Sequence, residues 1–164
     1  MGRKLIINFA DFSNIAVRKS PVKNTTIFGF EKSAWSSLSK TTAGQVSSYY
    51  GIKSQVSGLL VGFKAKIDNP NNEILSYNVR LFNEGSTSFS DYKAESSTNT
   101  TKQHGECYLA INPPINVEKG DIVGLSGSAI YYWGDNYKGE TEAYTAGVKD
   151  AKGRIYSFQA VFEH

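Results

Sequence analysis

The segment GLLVGFKAKI, residues 58 to 67, alternates at a spacing of two, and this constrains the fold more than any other stretch of the chain. A period of two sends successive side chains to opposite faces of an extended strand, so one face is dry and the other wet. Leu59, Val61, Phe63, Ala65 and Ile67 fall on one face, and Lys64 and Lys66 on the other. ILSYNVRLF, residues 74 to 82, repeats the pattern, with Leu75, Tyr77, Val79 and Leu81 opposed to Ser76, Asn78 and Arg80. DNPNNE, residues 68 to 73, lies between them; Asn tolerates positive φ and Pro70 fixes φ, so the two runs are expected to pair as an antiparallel hairpin.

The same rhythm recurs along the chain. ECYLAI places Cys107, Leu109 and Ile111 on one side, and Pro113 and Pro114 are expected to stop that strand because proline cannot donate to a ladder. INVEKGDIVGLSG reads as a turn from Glu118 to Gly120 feeding an apolar strand from Ile122 to Leu125. GRIYSFQAVFE aligns Tyr156, Phe158, Ala160 and Phe162. KLIINF, NIAVRK, TTIFGF and QVSSYYG are less regular strand candidates. Roughly nine or ten short strands between turn signals predict an all-β fold, an antiparallel β-sandwich of jelly-roll type. At 164 residues without a clear internal boundary, residues 1–164 are expected to form a single domain. Residues 31 to 40 read as one helical turn or a loop, and residues 82 to 106 as a long loop of functional or mobile character.

Several chemistries lack their residues. The lone Cys107 excludes an intramolecular disulfide and a cysteine-based zinc site. Of the two histidines, His104 and His164, neither stands in a nucleophile-base context, GLSGS does not meet the G-x-S-x-G spacing, and no phosphate-binding glycine loop occurs. No enzymatic activity is therefore expected. Net charge is only +3 with the basic residues dispersed, which argues against nucleic acid as a partner. No apolar run reaches membrane-spanning length, and the opening MGRKLIINFADFSN offers only LII where a signal peptide needs a longer apolar region. Cytoplasmic synthesis, with any surface location reached by non-classical release, is the expectation. Oxygen-rich stretches, Asp68 to Glu73 and Asp135, Asn136 and Glu140, admit calcium without matching an EF-hand, and turn formation alone explains both.

YYWGDNYKGETEAY, residues 131 to 144, holds five rings among small polar and charged residues. If the segment from Ser128 is extended, Ile130 and Tyr132 pack inward while Trp133 and Tyr137 cover a sheet edge; alternatively the rings form an exposed platform. Sugar rings lay their C–H faces on such side chains, and Asp135 and Asn136 would meet the hydroxyls. Trp133, Tyr137, Asp135 and Asn136 are the leading candidate ligand contacts, with Trp35, Tyr49 and Tyr50 as further candidates.

Two resemblances add to this. GRKLIINFADFSNIAV, residues 2 to 17, resembles the opening of β-rich proteins of Bacteroides-type gut bacteria and their phages. INVEKGDIVGLSG is similar to the late strand pair of jelly-roll carbohydrate-binding and phage receptor-binding modules, with Lys119, Gly120 and Asp121 as the turn. They imply a virion or cell-surface component. Two roles follow as expectations: a lectin-like attachment module binding a glycan or surface receptor, or a structural fibre, decoration or tail protein whose aromatic surface is a homo-oligomer interface.

Overall fold

The structure is a computed structural model and describes residues 23–41, 48–133, 139 and 141–164. The strand expectations over residues 4–9 and 14–19 lie outside the described residues. In chain order the strands are β1 (Thr25–Gly29), β2 (Lys40–Thr41), β3 (Tyr50–Lys53), β4 (Gly58–Ile67), β5 (Asn78–Phe82), β6 (Ala94–Thr98) and β7 (Gly105–Val117). They continue with β8 (Ile122–Ser126), β9 (Tyr131–Trp133), β10 (Ala143–Thr145), β11 (Val148–Lys149), β12 (Ile155–Tyr156) and β13 (Phe158–Glu163). A 3-10 turn, Lys32–Ser37, is the one helical element among the described residues.

The pairings form a ribbon in the order β1-β13-β4-β7-β6-β5-β8-β3-β10-β11, antiparallel throughout, with a small sheet β12-β9-β2 beside it. β7 belongs to both halves of the ribbon: it pairs with β4 from Gly105 to Val117 and with β6 at Ile111 and Asn112. Side chains of β4 and β13 (Leu60, Phe63, Phe158, Phe162) share one buried cluster with those of β5, β8 and β3 (Val79, Leu81, Leu125, Ile52). The halves therefore face each other as the layers of an all-β antiparallel sandwich, and each such large apolar side chain contributes about 1.5–3 kcal/mol by leaving water.

Three expectations are corrected. β4 and β5 do not form a hairpin: β4 is flanked by β13 and β7, β5 by β6 and β8, so the connection between them crosses from one layer to the other. The turn itself is present, with the Asn72 amide donating to the Asn69 carbonyl at 3.1 Å and Asn72 at φ 51°. Alternation also changes phase inside β4. Its register shifts between Leu60 and Gly62 against β7, so Leu60 is fully buried while Leu59 and Val61 are partly exposed. Finally, β7 does not stop at Pro113. Pairing to β4 runs to Ala110 and resumes at Ile115, so both prolines sit in the bulge, where β4 asks for no amide donor.

Residues 82 to 106 are more than a loop. They contain β6, and Phe89 and Tyr92 pack on a second cluster of Tyr49, Phe82, Ile122, Tyr144 and Ala146. The Arg80 guanidinium lies 4.8 Å from the Tyr49 ring centre and 4.2 Å from that of Tyr92, and donates to the Phe89 carbonyl at 2.8 Å.

Candidate functional site

Three of the residues expected to be exposed contacts are in the interior. Trp35 is 2% exposed, Tyr49 4% and Tyr50 3%. The 3-10 turn aims the Trp35 ring into the main core, and the Lys66 ammonium donates to the Trp35 carbonyl at 3.3 Å. Tyr50 stacks on Tyr156 with ring centres 4.2 Å apart, and Tyr49 meets Phe82 edge-on at 5.6 Å. Rings held in this way cannot stack on a ligand. Asp135, Asn136 and Tyr137 lie outside the described residues, as does the Trp133 side chain; the Trp133 backbone pairs with Ile155. Ile130 is fully buried, and Tyr132 packs on the core with its ring 6.1 Å from that of Tyr156.

What the described part of the aromatic stretch does build is a wall. Thr141, within it, ties the two layers together: its hydroxyl donates to the Gly29 carbonyl at 2.9 Å, and its amide donates to Glu31 Oε1 at 3.2 Å. This brings the β1 edge of one layer against the start of β10 in the other. Between them lies a cavity of about 370 Å³ lined by Phe28, Lys53, Gln55, Thr141, Glu142 and Tyr144. A wider one of about 680 Å³ shares Lys53, Gln55, Glu142 and Tyr144 and extends to Glu84, Lys119 and Lys149. The two make one open cleft, lined by the partly exposed Phe28 and the buried Tyr144 and rimmed by hydrogen-bonding groups.

The rim carries opposed charges. Lys53 donates to Glu84 at 2.6 Å and Lys149 pairs with Glu142. Those carboxylate hydrogen bonds raise both ammonium pKa values. Burial raises the Tyr144 phenol, and the nearby Lys53 charge partly offsets it. Gln55 is exposed. Sequence reasoning missed this cleft because Lys53, Gln55, Glu142 and Tyr144 come together only when β3 pairs with β10. The one local signal was the pair Glu142 and Tyr144, two apart on a segment that could be extended.

A turn positions Lys119 at the far end. The Lys119 amide donates to Ser57 Oγ at 2.9 Å and Gly120, at φ +100°, donates to the Ser54 carbonyl at 2.9 Å. β7 and β8 join here but do not pair, since the chain is changing layers.

Elsewhere, one large ring is exposed on the outer face of the layer β1-β13-β4-β7. Tyr108 is 51% exposed and leans over Gly62, where a Cβ would fall 2.4 Å from its hydroxyl oxygen. Ile27, in β1 of the same layer, is 42% exposed, while Val161, opposite Ile27 in the register, is buried at 6%.

Among the described residues no group of three or more His, Cys, Asp and Glu is placed to hold a metal ion. In the Asp68 to Glu73 turn the Asn69 side chain is occupied by Glu73, whose amide it accepts and whose carbonyl it donates to, both at 2.9 Å. His104 Nδ1 accepts the Asn69 amide at 2.9 Å, and burial pushes the Cys107 thiol up to about 11. None of the helices among the described residues is long and apolar enough to cross a membrane. No protein-family model matches the chain, and no curated protein sequence matches it.

Proposed function

We propose that this sandwich, of jelly-roll type, is a non-catalytic recognition module at a virion or cell surface, and that it binds a glycan in the cleft between β1 and β10. The observation that carries the reading is the cleft's composition. Phe28, partly exposed, offers apolar surface beside the buried Tyr144, and Lys53, Gln55 and Glu142 offer donors and acceptors around it. A saccharide presents the matching set, C–H faces and a ring of hydroxyls. Trp133, Asp135, Asn136 and Tyr137 remain candidate contacts from the sequence, in which they precede Thr141 of the cleft wall.

The test is retention on a glycan array by the full chain and by a Gln55→Ala, Lys53→Ala double variant. Both positions are at the rim, so folding is expected to survive. Each lost hydrogen bond weakens binding roughly twofold to tenfold. Equal retention by the variant removes the cleft from the site, and no retention by either protein removes the glycan reading.

A second reading, a structural virion component, draws on the exposed Ile27 and Tyr108 on one face. Exposed apolar patches often mark interfaces. Light scattering on the wild type and on Tyr108→Ser decides it: an oligomer lost in the variant supports assembly through this face, and a wild-type monomer refutes it.

A further inference from the structure

We infer that the cleft's ligand is an acidic oligosaccharide, whose carboxylate or sulfate group lies at the Lys119 end; this rests on the glycan reading above. The wider part of the cleft is lined by three ammonium groups, Lys53, Lys119 and Lys149, against two carboxylates, Glu84 and Glu142. The pairs are not symmetric. Lys53 is taken by Glu84 and Lys149 by Glu142, whereas Lys119 has no ion-pair partner among the described residues.

The position of Lys119 is fixed although its side chain is exposed. Its own amide is held by Ser57 Oγ, and those of Gly120 and Asp121 by the Ser54 and Glu118 carbonyls. An ammonium group on a clamped backbone loses less freedom when it meets an anion than one on a loose loop. The two existing pairs are also exchangeable. Glu84 and Glu142 are more than half exposed, and exposed pairs contribute little. An arriving anion can therefore share Lys53 or Lys149 while the glutamates turn to water or accept ligand hydroxyls. The narrower part, with Phe28, Gln55 and Thr141, carries one ammonium and one carboxylate and suits the uncharged body of the chain.

The experiment compares three probes on the full chain by titration calorimetry: an oligogalacturonide, a sulfated oligosaccharide and a neutral glucan oligosaccharide of equal length. Wild type is expected to bind one or both acidic probes more tightly than the neutral one, and which of the two binds identifies the group. Raising salt from about 0.1 M to about 1 M, over which the Debye length falls from ~10 to ~3 Å, should weaken acidic binding. Lys119→Gln should weaken it about threefold and leave neutral binding unchanged, while Lys102→Gln changes neither. Equal, salt-insensitive binding of the neutral probe overturns the inference and leaves glycan recognition standing. Acidic binding that Lys119→Gln does not alter overturns the placement at this turn. Binding of no saccharide overturns both readings.

Discussion

Replacing Asp121 by alanine should destabilise the protein by about 2–3 kcal/mol, because this one side chain holds the crossing between the layers. Its carboxylate is 8% exposed. Oδ2 accepts the Glu118 amide at 3.0 Å, and Oδ1 accepts the Lys93 ammonium at 2.7 Å. A net hydrogen bond to a charged group contributes about 1.5–3 kcal/mol, and the two here are partly redundant, so their sum is not reached. Lys93 is not stranded by the change, since its side chain is one-third exposed and its ammonium keeps Glu118 at 3.4 Å. For a chain of this size about 2–4 °C accompanies each kcal/mol, so the midpoint should fall by roughly 4–12 °C in a thermal melt followed by circular dichroism. Asp121→Asn keeps one acceptor and should lose only about 1 kcal/mol. A Lys93→Ala, Asp121→Ala cycle should return a coupling above about 0.5 kcal/mol. An alanine variant within about 0.5 kcal/mol of wild type in urea would refute the role given to this carboxylate.

Gly147→Ala should be among the most damaging small substitutions, since its Cβ would fall 2.0 Å from the Asn83 carbonyl oxygen and 2.6 Å from the Ser86 nitrogen, both backbone atoms. A loss of about 2–4 kcal/mol in urea is expected, and a neutral result would show that this corner yields. Alkaline pH should also unfold the protein. Tyr77 and Tyr156 have phenol pKa values raised above 10.0 by burial, and neither hydroxyl has a hydrogen-bond partner among the described residues. The folded state then holds protons that the unfolded state releases, so stability is intact below pH ~10 and falls as pH rises beyond it. Tyrosinate absorbance from these two should appear together with unfolding; smooth titration in a folded protein would contradict their burial.

Strand existence was legible because period two is written into single segments. Val79, Leu81, Leu109, Phe158 and Phe162 are buried as that pattern requires. Neighbour choice was not legible. A six-residue turn such as DNPNNE serves a hairpin or a layer crossing equally well, and only the claims of β13 and β7 on the two edges of β4 decide between them. The phase change at Leu60 was hidden for a related reason, since a bulge depends on the partner strands as well as on its own sequence. Trp35, Tyr49 and Tyr50 misled because serine and glycine surround them, yet a large ring next to small residues can fill a core gap as well as face a ligand. Tyr108, opposite in phase to Cys107 and Leu109, could have been placed outside from alternation alone.

The way the layers are joined also decides which cleft residues can be tested separately from folding. Phe28 lies on the β1 edge and packs against the main core, and Tyr144 belongs to the second cluster with Phe82 and Ile122. Truncating either would open a void of the kind that costs a few kcal/mol, so any lost binding would be confounded with lost structure. Lys119 and Gln55 have exposed side chains on backbone that the core does not rely on them to hold. Lys119 adds a further separation. Its amide bond to Ser57 survives any side-chain substitution, so Lys119→Gln removes a charge and leaves the crossing in place. Asp121→Ala should act in the opposite sense, loosening the turn while the Lys119 ammonium remains. If the acidic-ligand reading is right, Lys119→Gln weakens binding at constant stability, whereas Asp121→Asn lowers stability and weakens binding only as far as the turn loses its hold on Lys119. A matched loss of affinity and stability in both variants would mean that the turn shapes the cleft without contributing its charge.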